Sequence, residues 1–114
     1  LTPLIVGHYP AKKLARLLRP LLNPQTLLIV SSDLCHYLSY LEAQHQDSFT
    51  LTQIMALEAD LVPEQACGSE ALNAMLLLAR KLGLRPRLLG QHNSGDITGE
   101  KLNVVGYAAV AFYA

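Results

Sequence analysis

Leu27-Leu28-Ile29-Val30-Ser31-Ser32-Asp33-Leu34-Cys35-His36-Tyr37 is the stretch on which the fold turns. Its first four residues are apolar, have strand length and lack polar alternation. That is the pattern of a strand covered on both faces of a parallel sheet. Polar residues follow at once, and at the C-terminal end of such a strand they point into the crevice where α/β sheets bind ligands.

Upstream, Leu4-Ile5-Val6 is a second apolar run, closed by Gly7. Between the two runs, Ala11 to Leu22 carries Leu14, Leu17, Leu18 and Leu21 at the spacing of one helix face, with Lys12, Lys13, Arg16 and Arg19 on the other. Pro20 should weaken or end this helix near Arg19, because it offers no N–H and crowds the preceding turn. Asn23-Pro24 makes a turn. Strand, helix, strand in this order predicts a right-handed βαβ unit with parallel strands.

Downstream, the pattern predicts a helix over roughly Ser39 to Leu57 and a loop from Pro63 to Gly68. Ser69 is the expected N-cap of a further helix, with Glu70 in its first turn. Leu72, Met75, Leu76 and Ala79 form its apolar face, and Gly83 follows its last turn. Arg85 to Gln91 and Val104 to Tyr113 read as strands. The turn-rich Asn93-Ser94-Gly95-Asp96 and Thr98-Gly99 between them suit a hairpin. The expected class is therefore α/β: a mixed, largely parallel sheet with flanking helices and a C-terminal antiparallel hairpin.

Composition narrows the function classes. Of 114 residues, 51% are hydrophobic and 16% charged, which is apolar for a chain with so much surface to cover. A compact α/β core would produce this, and so would apolar faces turned toward further protein or a second copy of the chain. The formal net charge is zero and no basic stripe is present, so a nucleic-acid partner is not expected. No apolar run reaches the length of a membrane span, so neither is a membrane. Two cysteines, Cys35 and Cys67, allow one bridge at most and point to a reducing, cytoplasmic setting. The sequence opens on Leu1 with no initiator Met, signal or transit pattern, as a piece of a larger α/β domain would.

Three groups of residues could carry chemistry. Asp33 and His36 stand three apart just past a strand end: Asp33 could orient His36 as acid, base or ligand, or simply cap the following turn. Cys67-Gly68 precedes a helix, whose dipole favours a thiolate, a ligand for iron, copper or zinc; the alternative is a small residue filling a tight turn. Cys35 is expected to point into the core. His92-Asn93-Ser94-Gly95-Asp96 either rims a pocket, with Asn93 and Ser94 toward a ligand, or makes side-chain turn bonds. His8 could face the same crevice as Asp33, His45 is expected in solvent, and Tyr107 in the core. The chain offers no phosphate loop, CxxC or HExxH pattern.

Four stretches in order and spacing resemble the Memo family, also called AmmeMemoRadiSam system protein B: Leu27 to Tyr37, Ala66-Cys67-Gly68, Asn93 to Asp96 and Val104-Val105-Gly106-Tyr107-Ala108-Ala109. The opening Pro3-Leu4-Ile5-Val6-Gly7 also suits it. The resemblance covers essentially all of residues 1–114 and implies the C-terminal portion of a single Memo-like domain. Members resemble class III extradiol-type non-haem-iron dioxygenases in fold. What this implies is a pocket at one sheet edge and a metal, iron or copper, held by two histidines of the N-terminal portion together with Cys67. Asp33 and His36 would stand close by as catalytic groups, with Ser32, Asn93 and Ser94 lining the pocket. Two function classes follow: a metal-dependent redox or oxygenase-like protein, or a non-catalytic module binding a peptide or small anionic ligand. The resemblance also associates animal members with phosphopeptide binding and motility signalling, and prokaryotic ones with radical-enzyme partners. The residue pattern itself fixes no reaction.

Overall fold

The computed structural model describes all 114 residues, Leu1–Ala114. The chain has four helices and one small sheet. Helix α1 (Ala11–Leu18) passes at Arg19 into a 3₁₀ turn, Arg19–Leu21, that contains Pro20. The short strand β1 (His36–Leu38) is followed by α2 (Tyr40–Met55), capped at its start by the Ser39 side chain. Then come α3 (Ser69–Leu82), β2 (Arg85–Asn93), the one-turn α4 (Ser94–Thr98) and β3 (Val104–Tyr113).

The hairpin is as expected: β2 and β3 pair antiparallel, Arg85 opposite Tyr113 and Asn93 opposite Gly106. The largely parallel sheet is not found. The sheet has three strands in the order β1-β3-β2, and both pairings are antiparallel. Neither Leu4–Val6 nor Leu27–Val30 joins a ladder, so the predicted βαβ unit is absent and α1 packs on α3 instead. The reason is lateral: a continuous apolar run becomes a parallel strand only where a neighbouring strand pairs with it, and neither run has a ladder partner in this chain. Residues 27 to 32 make no backbone–backbone hydrogen bond. Their exposure alternates, with Leu27 and Ile29 at 82% and 74% and Leu28 and Val30 partly covered. One face packs and the other is bare.

Two apolar clusters hold the rest. Leu14, Ala15 and Leu18 of α1 meet Ala74 and Leu78 of α3, while Leu34, Leu51, Ile54, Leu61, Ala66 and Leu76 form the core beneath β3. Pro10 gives α1 no side-chain cap, but the Glu70 carboxylate accepts a hydrogen bond from the Ala11 N–H at 2.8 Å. It thereby satisfies an otherwise unpaired donor and places negative charge at the positive end of α1. Ser69 is the first residue of α3 rather than its cap; Gly68 holds that position. Gly83 ends α3 in the left-handed conformation with φ 67°. Tyr107 is 41% exposed, not the core residue its apolar neighbours suggest.

Candidate functional site

Two segments meet at the site, and each is fixed by bonds outside it. The first, Leu34 to Leu38, is tied to β3: the Leu34 N–H donates to Gly106 O at 2.9 Å and the Gly106 N–H to Cys35 O at 3.0 Å. Behind it, Asp47 of α2 is 2% exposed and accepts from the Cys35 N–H at 3.1 Å and the Cys35 thiol at 3.3 Å. Burial raises the Asp47 carboxyl above the usual carboxylate range, although both Cys35 bonds pull it down. Burial first, and Asp47 second, push the Cys35 thiol up to about 12. Cys35 is thus a neutral core group.

The second segment is the loop before α3. Buried Asn73 accepts from the Leu61 N–H and donates to Leu61 O, both at 2.9 Å. Gln65 accepts from the Val62 N–H and donates to Thr50. The loop ends at Cys67, whose N–H donates to Asp33 O at 3.3 Å. Ser32 fastens the two segments together. Its hydroxyl donates to Asp33 O at 2.7 Å, accepts from the Gly68 N–H at 2.9 Å and lies 3.6 Å from Cys67 Sγ. A Cβ at Gly68 would meet Ser32 Cβ at 2.9 Å, so the close approach requires glycine there.

In this frame Asp33, His36 and Cys67 present one ligand atom each, all within 4.8 Å of one another and all exposed. His36 Nε2 and Asp33 Oδ2 are 3.3 Å apart. Neighbouring ligands of a four-coordinate ion with N, O and S donors sit roughly 3.3–3.8 Å apart, from bond lengths of about 2.0–2.3 Å. The Asp33–His36 separation meets that geometry, and Cys67 Sγ lies within 4.8 Å of both. The backbone beside the cluster is strained: Tyr37 has φ 60°, uncommon for a bulky residue, at an irregularity in the β1–β3 pairing. Its ring tilts against His36, centroids 5.6 Å apart.

The other candidates make local bonds. Asn93 and Asp96 form a reciprocal capping box on α4: the Asp96 N–H donates to Asn93 Oδ1 and the Asn93 N–H to Asp96 Oδ2. Bonds from the Tyr40 hydroxyl and the Asn93 N–H hold the Asp96 carboxyl below its ordinary range. Ser94 Oγ accepts from the Val105 N–H, pinning α4 to β3. Asn93 and Asp96 line a separate polar depression of about 440 Å³ with His45, Asp47 and His92. His8 is exposed and not among the three clustered donors, and both cysteines are free. Sequence reading missed Asp47. Its signal was a carboxylate in the inward row Ala43, Asp47, Thr50, Leu51 and Ile54 of α2.

Comparison with known proteins gives this arrangement a lineage. The family model described as "Memo-like protein" matches residues 2–111. A MEMO1 family protein of Desulfurococcus amylolyticus is 31% identical over 126 aligned positions, covering 99% of this chain and 44% of that protein. One of Aeropyrum pernix is 39% identical, over 74% of this chain and 32% of its own length. One of Sulfurisphaera tokodaii is 29% identical, over 94% and 40%. The chain spans about two fifths of the length of such relatives. With a family model matched along nearly its whole length, this chain belongs to the Memo family.

Proposed function

We propose that Asp33, His36 and Cys67 form part of a metal-binding, redox-active centre. The carrying observation is the convergence of a carboxylate, an imidazole and a thiol within 4.8 Å at the surface, on segments locked by Ser32 and Asp47. Cys67 is the thiolate ligand, His36 an outer ligand or acid–base group, and Asp33 its orienting partner across 3.3 Å. A soft thiolate beside an imidazole suits iron or copper, and such an ion supplies Lewis-acid or one-electron chemistry when bound. A thiolate ligand departs from the usual site of two histidines and one carboxylate, which weighs against ring-cleaving oxygenase chemistry. Ser32 adapts to the ligand state. While its proton goes to Asp33 O it can only accept from the Cys67 thiol; toward a thiolate it can turn and donate.

A binding module for small anions is disfavoured by the same geometry, since Asp33 contributes an exposed carboxylate to the cluster. The deciding experiment is metal uptake by this chain joined to the rest of its Memo-type domain, titrated with iron and with copper, wild type against Cys67→Ser. Uptake by the wild type, weakened about tenfold or more in the variant, is expected, since even outer-shell changes cost about 10–100-fold. Equal uptake by both, or none by either, would overturn the reading.

A further inference from the structure

Strand β1 carries one residue more than its partner. His36 stands opposite Val105 and Leu38 opposite Val104, so Tyr37 has no partner on β3. It is the extra residue of a β-bulge, and its φ of 60° puts a bulky side chain where glycine is usual. The bulge decides which side chain enters the core. Successive strand residues face opposite ways, so in an unbroken ladder the residue after His36 would share the face of Cys35. Cys35 is fully buried with Ala43 and Val104, and it is Leu38 that packs against this cluster. Tyr37 is displaced outward, 73% exposed, and its ring lies 5.6 Å from the His36 ring at a tilt of 49°. That spacing and tilt suit an attractive contact between two aromatic rings.

The ladder itself does not need Tyr37. With it removed, Leu38 would follow His36 directly, the pairs with Val105 and Val104 would fall in step, and Leu38 would keep its place in the core. What the strained residue adds is its ring. The His36 side chain is 38% exposed and its imidazole is bonded to Asp33 Oδ2 at 3.3 Å, a single link about which the ring can still turn. We infer that Tyr37 is a positioning residue of the Asp33–His36–Cys67 cluster: its ring backs the His36 imidazole and keeps it turned toward Asp33 and Cys67. The inference deepens the metal-centre reading and rests on it for what His36 does there. The positioning itself uses contacts within this chain and needs no ion. The contact is made by the ring, so phenylalanine would serve in place of tyrosine.

The test uses this chain joined to the rest of its Memo-type domain, with chelator present throughout. Four proteins are compared: wild type, Tyr37→Phe, Tyr37→Gly and a deletion of Tyr37 alone. Two quantities are read, the urea midpoint and the nuclear Overhauser effect between the His36 ring protons and the Cys67 β protons. Tyr37→Gly and the deletion should unfold at a urea concentration at or above that of wild type, because both relieve the left-handed strain. In both, the Overhauser effect should be about threefold weaker, as the imidazole spreads over its staggered rotamers. Tyr37→Phe should keep the wild-type effect. A residue with only a structural role would move the midpoint and leave the effect unchanged. Because no metal is present, the result decides the positioning separately from the metal-uptake experiment. An undiminished effect in Tyr37→Gly and in the deletion, its loss in Tyr37→Phe, or a midpoint below wild type in both ring-less proteins, would overturn the inference.

Discussion

The Asp47 carboxylate occupies the space where a side chain at residue 106 would begin: a Cβ on Gly106 would stand 1.8 Å from Asp47 Oδ2. The contact joins α2 to β3 behind the segment that carries His36. It makes the Gly106 requirement steric, since any Cβ must displace a buried carboxylate that is holding Cys35.

Gly106→Ala should therefore destabilise the protein by about 3 kcal/mol, the upper range for overpacking a core. Asp47→Ala alone should cost about 1–3 kcal/mol by leaving the Cys35 N–H without its acceptor. Combined, the two losses should fall short of their sum by roughly 1–3 kcal/mol, because Asp47→Ala removes the atoms that Gly106→Ala hits. Urea unfolding of the four proteins measures this, and strict additivity would contradict the contact.

The two cysteines should differ sharply toward a thiol reagent. Cys67 is exposed at the end of its loop; Cys35 is fully buried and its thiol is held up at about 12 by burial and by Asp47. Native protein at neutral pH should label once, at Cys67, and a second time only on unfolding. Mass spectrometry of the labelled peptides identifies the site, and early labelling at Cys35 would show that the Leu34–Leu38 segment opens locally.

How much of this was legible in the sequence depends on whether the deciding interaction is local. The α3 boundary at Gly83, the end of α1 at Pro20 and the β2–β3 hairpin rest on neighbouring residues, and they read correctly. Leu27–Val30 carried the pattern of a buried strand, but burial needs lateral partners, and a run of apolar residues does not say whether those partners lie in the same chain. Asp33 and His36 could be paired from their spacing alone. That Cys67 joins them is a tertiary fact, set by the Ser32–Gly68 approach; before the structure it rested on resemblance. Asp47 escaped because the periodicity of α2 is weak, which hid its inward row.

Ser32→Ala should loosen the site without unfolding it. The Gly68 N–H would lose its acceptor, at a cost of about 1–2 kcal/mol, while Ser32 Cβ continues to fill the space against Gly68. Amide exchange at Gly68 should accelerate and labelling of Cys67 should change rate, because its Sγ loses a neighbour at 3.6 Å. Ser32→Thr, which keeps the hydroxyl, should restore slow exchange. Unchanged exchange in Ser32→Ala would mean that Asp33 O alone holds the loop.

Asp47 should also leave a mark on stability against pH. Its folded-state pKa is raised, burial outweighing the two Cys35 bonds, so folding favours its protonated form. The contribution is fully present below the ordinary carboxylate range and is lost as pH rises through the folded value. Above that value the protein carries a buried carboxylate at a net cost. Asp47→Asn keeps an oxygen for the Cys35 N–H but does not titrate, so stability should fall less for the variant than for wild type as pH rises from about 4 toward neutrality. Denaturant midpoints at several pH values give the comparison. Parallel curves for the two proteins would mean that Asp47 is as well solvated folded as unfolded, against its 2% exposure.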